Sequence, residues 1–295
     1  MMSMTLGIIG LGNAGSALAL ALSGRLPLMG CDANPERRAA LGDLNLVWAE
    51  SVAEVALGAD KVLLSLPRPE ISKSVVADLL AAGGRTSIII ETSTVTPKAA
   101  REMAETCRAA GVAFVDAAIT GGVQALAAGS ATFLVGGEEA AFRQAKPVLD
   151  MLARKIHHLG PAGAGSGMKI VHNGVMHALM VVLIEAGAMA RKLDIPLKTF
   201  LEVLGRPDGI QRPLEHRFRE RILENHYTGG MSVANAHKDS MLFLGTAQES
   251  GVPLFATLAA HTPYEIARQQ GMEALDYASL AKLWEEWCHL DFAEK

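Results

Sequence analysis

A chain of 295 residues is too long for one small core and suits two domains, or one large α/β unit with an appendage. Half of its residues are hydrophobic and 20% are charged, which argues against a disordered protein. The net charge of −4, with lysines and arginines scattered along the chain, argues against nucleic acid or an anionic membrane surface as a partner.

The cysteines and histidines show no spacing typical of a metal site. Three cysteines, an odd number, argue against a disulfide framework and favour a reducing cytoplasm. We therefore expect a cytoplasmic protein without a bound metal. Eight histidines show neither a nucleophile nor a metal arrangement and are assigned no role: His157, His158, His177, His216, His226, His237, His261 and His289.

The N-terminal segment predicts a strand, a glycine-rich turn and a helix. The stretch 5–24 is uncharged, but it lacks the basic region that a signal sequence requires, so we expect no membrane segment here. The strand covers 6–9 and the helix covers 14–23. The turn between them consists of Gly10, Leu11, Gly12, Asn13, Ala14 and Gly15.

Short apolar runs alternate with helical stretches as far as about residue 160. This alternation predicts a Rossmann-type, doubly wound parallel sheet, hence an α/β fold. The predicted strands cover 6–9, 26–31, 61–66, 87–90, 112–115 and 131–135. The predicted helices between or after them include 14–23, 70–80, 97–110 and 138–152.

The pattern changes after the glycine-rich segment 160–165. An apolar helical stretch over 167–193 would be about 40 Å long, enough to run between two domains. The sequence then stays helical, with loops around 207–209 and 228–230. We predict a Rossmann-type domain over 1–163, which contains the glycine turn, and an all-helical C-terminal domain over 164–295.

The spacing of Gly10, Gly12 and Gly15 fits a dinucleotide-binding turn. Gly10 allows the tight turn, Gly12 lets the backbone approach a pyrophosphate, and Gly15 lets helix and strand pack closely. The free N–H groups at the start of the helix attract phosphates. An ordinary glycine turn is the alternative, but here the turn follows a strand and opens a helix, as this fingerprint requires.

Asp32 ends the second predicted strand, 20 residues after Gly12. A carboxylate at this place accepts hydrogen bonds from the ribose hydroxyls and repels a 2′-phosphate, so NAD is favoured over NADP as the cofactor. Arg37 and Arg38 follow closely enough to keep NADP as the alternative.

Two further strands end in residues that we expect near the cofactor. Leu66 and Pro67 end one run, and Ser93 and Thr94 follow another. Ligands of open α/β sheets bind at the carboxyl ends of strands. We expect Ser93 and Thr94 on the nicotinamide side, with capping of the next helix as the alternative.

Lys169 and Asn173 lie four residues apart, hence on one face of the long predicted helix. Oxidation of an alcohol requires a group that removes the hydroxyl proton while hydride leaves the same carbon. Lys169 fits this task if burial lowers its pKa, and Asn173 would hydrogen-bond the reacting hydroxyl. His172 lies one residue off that face and would steady the arrangement. A solvated surface lysine is the alternative.

Two more motifs complete the candidate site. Thr120, Gly121 and Gly122 combine a hydroxyl with successive glycine N–H groups, which suits a carboxylate. An ordinary turn is the alternative. Lys238 and Asp239 lie on a probable helix and are expected to reach cofactor or substrate, with an exposed ion pair as the alternative.

The order of these motifs resembles the β-hydroxyacid dehydrogenase family, which includes 3-hydroxyisobutyrate dehydrogenase and 6-phosphogluconate dehydrogenase. The family combines a glycine fingerprint, a Ser-Thr-x-x-Pro segment, a Ser-Gly-Gly motif, a Gly-x-Gly-x-x-x-Lys-x-x-x-Asn helix and a late Lys-Asp. The likeness runs from Gly10 to the segment 271–279. The matching residues are 93–97, 120–122, Gly163, Gly165, Lys169, Asn173, Lys238 and Asp239.

The resemblance implies roles for these residues. Lys169 would be the catalytic acid/base, and Lys238 would lie on the cofactor side. Asn173 and the segment Thr120, Gly121 and Gly122 would contact a small, carboxylate-bearing substrate. The resemblance also implies a homodimer or homotetramer built through the helical domain.

The chain departs from the family pattern in ways that narrow the reaction. Thr120 replaces the usual serine and narrows the pocket by a methyl group. His172 and Asn173 resemble the His-Asn pair of 6-phosphogluconate dehydrogenase, but Met176 stands where that enzyme needs an acid, so decarboxylation is not expected. Lys169 argues against imine reductases, which share the scaffold and usually lack this lysine.

Three functions remain. The first is NAD-linked oxidation of a small 3-hydroxy acid, such as 3-hydroxyisobutyrate, to its semialdehyde. The second is NADPH-dependent reduction of glyoxylate, succinic semialdehyde or tartronate semialdehyde. The third is a non-catalytic dinucleotide-binding module, which would not need the pair Lys169 and Asn173.

Overall fold

A computed structural model describes residues 4–42 and 44–293 of the protein. The chain divides into two compact units, the first ending at Gly174 and the second beginning at Val175. The division falls inside one long helix, Ala164–Lys192, so each unit contains part of it. The sequence places a domain limit at 163, immediately before this helix, and that limit stays a prediction.

The first unit contains one sheet, which has eight strands in the part of the chain that the structure describes. Its order is β3-β2-β1-β4-β5-β6-β7-β8, and pairing is parallel except between β6 and β7. The order reverses between β1 and β4, where open α/β sheets bind ligands. The strands are β1 Leu6–Ile9, β2 Leu28–Cys31, β3 Leu46–Trp48, β4 Lys61–Leu64, β5 Ile88–Glu91, β6 Ala113–Thr120, β7 Ala131–Gly136 and β8 Ala153–His158.

Helices connect these strands, and the helices that start at Val52, Pro69 and Pro97 begin at a side-chain cap or a proline. The Thr96 hydroxyl accepts a hydrogen bond from the Ala99 amide, and Pro97 occupies the first turn, as predicted. The alternation of these helices with the strands of the sheet confirms the α/β fold that the sequence pattern predicts. The helices are α1 Asn13–Leu22, α2 Glu36–Ala40, α3 Val52–Gly58, α4 Pro69–Ala82, α5 Pro97–Ala109, α6 Gly122–Ala127, α7 Glu139–Leu149 and α8 Ala164–Lys192.

The sheet differs from the predicted all-parallel arrangement at its β7 edge. Only ten residues separate β6 from β7, fewer than the dozen or more that a parallel crossover needs, so β7 runs antiparallel to β6. The sequence did not predict β3, which has three residues, or β8, whose Arg154 and Lys155 are exposed. Both are edge strands, and edge strands lack the continuous apolar run that marks central ones.

The core lies on both faces of the sheet. Ile8, Leu63 and Ile90 are fully buried in a cluster on one face. Their neighbours Leu64 and Ile89 are fully buried in the cluster on the other face. Because both faces are covered, the central strands are apolar at almost every position, which is why they are recognisable from the sequence.

The second unit is helical throughout the residues described, as predicted. Beyond α8 it contains α9 Leu197–Leu204, a π-helical segment Pro213–Ile222, α10 Val233–Ser250, α11 Ala256–Gln269, a short 3₁₀ turn Tyr277–Leu280 and α12 Ala281–Cys288. The buried Glu185 carboxylate of α8 accepts hydrogen bonds from the Phe255, Ala256 and Thr257 amides at the start of α11. Burial alone would raise the pKa of Glu185, but the hydrogen bond from the Thr257 hydroxyl at 2.6 Å and those from the three amides lower it to about 2.

By length and composition alone, α8 is apolar enough to cross a membrane, with a mean hydropathy of 1.5 over its most apolar window. Among its large side chains in the second unit, Met180 and Ile184 are exposed in the single chain. A helix that is apolar over most of its surface is usually covered in the functional protein, either by another protein surface or by lipid.

Candidate active site

The glycine turn after β1 has the geometry that its spacing predicts. Gly10 has a φ of +88°, and a Cβ on it would lie 2.2 Å from the Ser65 carbonyl oxygen. A Cβ on Gly15 would lie 1.8 Å from the Gly10 carbonyl oxygen. A Cβ on Gly12 would meet no atom within 4 Å. Gly10 and Gly15 are therefore required by packing, whereas Gly12 leaves open space above its backbone.

The helix that follows this turn begins without a side-chain cap. Gly12 is the N-cap residue of α1 and makes no capping hydrogen bond, so the first amides of the helix are free to bind an anion. Beside them, the Asp32 carboxylate accepts hydrogen bonds from the Leu11 amide at 2.5 Å and the Asn34 amide at 2.7 Å. These bonds fix the carboxylate at the end of β2, next to the turn.

A cavity of about 690 Å³ lies at this turn. Its walls contain the free amides at the start of α1, which suit a phosphate, and the Asp32 carboxylate, which suits the ribose hydroxyls. They also contain apolar side chains, which suit the base of a dinucleotide. Arg37, five residues after Asp32, also lines this groove, so both residues that bear on the choice between NAD and NADP face the same cavity. The predicted cofactor residues among its walls are Gly10, Gly12, Asn13, Ala14, Asp32, Leu66 and Pro67.

Ser93 fixes the position of Leu66, which lines the cofactor cavity. Its hydroxyl accepts a hydrogen bond from the Leu66 amide at 2.7 Å, and its own amide donates to the buried Glu91 carboxylate at 2.7 Å. Burial raises the pKa of Glu91. The alternative role of Ser93 and Thr94 as helix caps is wrong, because Thr96 caps α5.

A second cavity, of about 390 Å³, adjoins the first through residues that line both. Ala14, Ser65 and Leu66 are shared by the two cavities. The second cavity brings together residues of five predicted segments within the first unit. The predicted site residues among its walls are Ala14, Leu66, Ser93, Thr94, Thr120, Gly121, Gly122 and Lys169, together with His172.

Lys169 reaches this cavity because the start of α8 is fastened to the sheet. The buried Asp116 carboxylate of β6 accepts hydrogen bonds from the Gly163 amide at 2.8 Å and the Ser166 amide at 2.6 Å. A Cβ on Gly165 would lie 2.3 Å from the Leu134 carbonyl oxygen, so only glycine lets the helix approach β7 this closely. The Gly-x-Gly of the family pattern is thus a packing requirement.

The amine of Lys169 is partly buried and held in place. Its Nζ donates a hydrogen bond to the Ile119 carbonyl oxygen at 2.7 Å. Burial lowers the pKa of Lys169 below its ordinary value. A half-buried amine with one fixed acceptor is therefore not the solvated surface lysine that the sequence left as an alternative.

His172 and Asn173 form a pair one turn along α8. The His172 Nδ1 lies 3.3 Å from the Asn173 Oδ1. His172 lines the second cavity, so it faces the same space as Lys169, although helical spacing favoured Asn173 for that face. The direct contact of Asn173 with a substrate stays a prediction.

The segment after β6 forms the opposite wall of the second cavity. Gly121 and Gly122 have φ angles of +106° and +80°, a region that favours glycine. Thr120 ends β6, and its hydroxyl lies 3.4 Å from the Thr132 carbonyl oxygen. The hydroxyl and the turn are at the cavity wall, where a substrate carboxylate would lie if the predicted role holds.

Lys238 lies in the second unit, on α10. It is exposed and forms an ion pair with Asp239 at 3.0 Å. Its contact with a cofactor or substrate stays a prediction.

Sequence reasoning missed Asp116, Glu91 and the histidine cluster of the second unit. Asp116 is the only charged residue in the apolar strand β6, and a buried carboxylate needs partners, so its position carried a usable signal. His237, His261 and Glu265 come together only because α10 and α11 pack, which the spacing of histidines along the chain does not show. Whether this cluster binds a metal is not decided by its geometry, so the expectation of no metal site stays a prediction.

Two family models of known proteins together match most of the chain. Residues 5–160 match the family model described as the NAD-binding domain of 6-phosphogluconate dehydrogenase. Residues 163–284 match the model described as NAD-binding of NADP-dependent 3-hydroxyisobutyrate dehydrogenase. The fold and site define a nicotinamide-dinucleotide-dependent oxidoreductase.

Individual relatives cover almost the whole chain. The 2-(hydroxymethyl)glutarate dehydrogenase of Eubacterium barkeri is 30% identical, over 96% of this chain and 96% of that protein. The structure of Mycobacterium tuberculosis 3-hydroxyisobutyrate dehydrogenase with L-serine has a TM-score of 0.66 and 28% identity, over 96% of this chain and 99% of that one. An imine reductase from Pseudomonas sp. shares the fold, with a TM-score of 0.86 and 21% identity, over 95% and 99%.

The chain belongs to the β-hydroxyacid dehydrogenase family. It is accordingly a hydroxyacid dehydrogenase that uses a nicotinamide dinucleotide.

Proposed function

We propose that the protein catalyses reversible, NAD-linked oxidation of a small 3-hydroxy acid to its semialdehyde, with 3-hydroxyisobutyrate as the representative substrate. The observation that carries this proposal is the position of Lys169. Its amine is held by the Ile119 carbonyl oxygen in a cavity that also contains Ser93 and the segment 120–122. That cavity shares a wall with the dinucleotide groove.

Lys169 acts as the acid/base in this proposal. In its neutral form it accepts the proton of the substrate hydroxyl, and in the reverse direction the ammonium returns a proton to the new alkoxide. Burial makes the neutral form accessible by lowering the pKa of Lys169. The Ile119 carbonyl fixes the direction of the amine. The nicotinamide ring, when bound, accepts or returns the hydride.

The substrate carboxylate binds at the turn that follows β6. The Thr120 hydroxyl and the Gly121 and Gly122 amides provide donors without a positive side chain, which suits a small acid whose remainder stays free for chemistry. Asn173, held beside His172, hydrogen-bonds the reacting hydroxyl.

The names of the relatives favour one substrate geometry. 2-(Hydroxymethyl)glutarate, 3-hydroxyisobutyrate and L-serine all carry a primary alcohol on the carbon next to the one that bears the carboxylate. A single position of the carboxylate and of the hydroxyl, relative to Lys169, would serve all three. We therefore infer that the substrate shares this CH₂OH–CH–COO⁻ unit and that the pocket beyond it selects the side group.

NAD is the proposed cofactor because Asp32 is fixed where the ribose hydroxyls bind. A 2′-phosphate would meet this carboxylate. NADP is the second candidate, because Arg37 lines the same cavity and one matching family model is described for an NADP-dependent enzyme. In that case the reaction would be reduction of glyoxylate, succinic semialdehyde or tartronate semialdehyde.

The decisive experiment measures nicotinamide absorbance with NAD or NADP against 3-hydroxyisobutyrate, L-serine, glycerate, threonate and 4-hydroxybutyrate. We expect turnover of one or more 3-hydroxy acids, a higher kcat/KM with NAD, and little turnover of 4-hydroxybutyrate, whose hydroxyl is one carbon further away. Preference for 4-hydroxybutyrate would contradict the proposed geometry. Cofactor binding without any turnover would favour a non-catalytic dinucleotide-binding module.

We also propose that the protein is a homodimer or homotetramer in the cytoplasm, built through the helical unit. The exposed apolar side chains of α8, such as Met180 and Ile184, support this assembly because a second copy of the chain would cover them. Sedimentation of the purified protein tests it, and a monomer at micromolar concentration would contradict it.

A further inference from the structure

Two helices of the second unit bring three potential metal ligands together. His237 lies on α10, and His261 and Glu265 lie one turn apart on α11. One ligand atom from each of the three lies within 4.8 Å of those from the other two. None of these residues belongs to the motifs of the dehydrogenase site.

His261 is the central member of this cluster. It is 5% exposed, and its Nδ1 lies 2.9 Å from the Ser240 hydroxyl. Its Nε2 is buried and has no hydrogen-bond partner among the described residues, although the Glu265 carboxylate lies 3.4 Å away. A buried ring nitrogen without a hydrogen-bond partner costs free energy, so it calls for a bound ligand or a proton shared with Glu265.

The Ser240 contact prepares His261 for metal binding. When Nδ1 donates its hydrogen to the serine hydroxyl, Nε2 carries the lone pair and points toward Glu265. This is the usual arrangement of a metal-binding histidine, whose second nitrogen is held by a hydrogen bond that fixes the tautomer and the ring orientation.

His237 supplies a second imidazole. Its ring centroid lies 4.8 Å from that of His261. Arg268 Nη1 lies 3.3 Å from the His237 Nδ1, but the same arginine also pairs with Glu273 at 2.9 Å. Arg268 therefore keeps its ion pair with Glu273 if a metal ion displaces it from His237.

The cluster is accessible to an ion from solvent. His237, Glu265 and Arg268 line a cavity of about 600 Å³ on the surface of the second unit. Glu265 is 57% exposed in its side chain, and its carboxylate lies 3.4 Å from the His261 Nε2. Two of the three potential ligands therefore line the cavity, and His261 contributes a buried nitrogen beside one of them.

We propose that His237, His261 and Glu265 bind one divalent transition-metal ion, with Zn²⁺ as the reference ion. Two imidazoles and one carboxylate are a ligand set that Zn²⁺ accepts, with a water in the fourth position. Zn²⁺ holds such ligands at about 2.0–2.2 Å, which places ligand atoms roughly 3.3 Å apart. Side-chain movements that bring the ligand atoms closer by up to about 1.5 Å would reduce the present spacing of at most 4.8 Å to this value.

Metal binding would join α10 to α11. His237 immediately precedes Lys238, so the ion would also fix the turn of α10 that carries the family's Lys-Asp pair. Ni²⁺ and Cu²⁺ are expected to occupy the same ligands, since affinity for such sites follows the general order of the first-row metals.

The spacing of His261 and Glu265 is not sufficient for such a site. His216 and Glu220 of the π-helical segment have the same spacing and lie 3.1 Å apart, but both are exposed, and no third ligand was found beside them among the described residues. This pair is therefore a matched control within the same unit.

The test is calorimetric titration of Zn²⁺ into the chelator-treated, full-length protein without a polyhistidine tag. We expect one ion per chain in the wild type and in His216→Ala. We expect loss of this stoichiometric binding in His237→Ala and Glu265→Gln, which replace accessible side chains and leave the fold intact by circular dichroism. Ser240→Ala should weaken binding about 10-fold, because it removes the hydrogen bond that orients His261.

A variant that is expected to bind Zn²⁺ more tightly distinguishes this site from adventitious binding. Arg268→Gln removes a positive charge 3.3 Å from a proposed ligand and should tighten Zn²⁺ binding. Absence of stoichiometric binding in the wild type would overturn the proposal, as would equal binding in Glu265→Gln and the wild type. The readout is independent of turnover, so the proposal is decided separately from the dehydrogenase function.

Discussion

The two cavities of the first unit are built by different means. The dinucleotide groove is made by backbone, because its turn depends on glycines whose missing Cβ atoms let chain segments touch, and on free amides at the start of α1. The second cavity is made by functional groups, above all the Lys169 amine and the Thr120 hydroxyl. Changes in the first should affect binding, whereas changes in the second should affect chemistry.

Replacement of Lys169 provides the largest expected effect. Lys169→Ala should lower kcat by about 10²–10⁴-fold, because the group that exchanges the hydroxyl proton is lost. The Kd of NAD should stay within about twofold, since the lysine contacts a backbone carbonyl of the second cavity. Stopped-flow measurement of turnover tests the effect on kcat, and cofactor titration tests the Kd of NAD. Lys155→Ala, which replaces an exposed lysine, is the control. A large rise in the cofactor Kd would erase the distinction between the cavities.

Two alanine substitutions in the glycine turn should separate packing from binding. Gly15→Ala places a Cβ 1.8 Å from the Gly10 carbonyl oxygen, so it should lower the free energy of unfolding by about 1–3 kcal/mol or more. Gly12→Ala meets no protein atom within 4 Å and should fold normally, yet raise the Kd of NAD at least about 10-fold, because the methyl group lies where the pyrophosphate approaches.

Thermal unfolding and cofactor titration of both glycine variants test this difference. Wild-type affinity in Gly12→Ala would show that the pyrophosphate binds elsewhere. Normal stability in Gly15→Ala would show that the turn is less tightly packed than the distances indicate.

Asp32 should control which cofactor the groove prefers. Asp32→Asn keeps the shape of the side chain and removes its charge, so the ratio of kcat/KM for NAD over NADP should fall about 10-fold. Asp60→Asn is the matched control, because Asp60 also accepts a backbone hydrogen bond, from Thr5, but lies outside the groove. An unchanged ratio in Asp32→Asn would assign the preference to Arg37 or another residue.

The pH dependence should be the smallest effect and should separate chemistry from binding. Burial lowers the pKa of Lys169, and the neutral amine is the base for oxidation. The kcat for oxidation should therefore rise as the pH increases through this lowered pKa and level off below pH 10.5, the ordinary value for a lysine. The kcat for reduction, which needs the ammonium, should fall over the same range. Steady-state rates measured in both directions test this prediction. If kcat changed with pH in the same sense in both directions, Lys169 would be excluded as the titrating group.

Much of the first unit is predictable because its patterns are local. Strands β1, β4 and β5 are apolar at almost every position and short, and Thr96 with Pro97 marks a helix start within three residues. The direction of β7 and the existence of β3 and β8 were missed, since they depend on connection length and on pairing at an edge rather than on their own composition.

The candidate site divides in the same way. Gly10, Gly12, Gly15 and Asp32 were predicted from spacing. In the structure Gly10, Gly12 and Asp32 line the dinucleotide groove, and Gly15 packs against the Gly10 carbonyl oxygen. That His172 lines the second cavity could not be predicted, because helical spacing alone favours Asn173 on the face of Lys169. Sequence spacing also does not reveal the cluster of His237, His261 and Glu265, whose members lie on two helices.

The sequence by itself determined the α/β class, the dinucleotide turn and the family, because glycine spacing, apolar runs and helix caps act within a few residues. Only the tertiary structure decided what holds Lys169 in place. Asp116 fastens the start of α8 from 47 residues away, and the Ile119 carbonyl receives the amine from 50 residues away. Such contacts depend on which strands become neighbours, and that choice is made by burial of the whole sheet rather than by any local pattern.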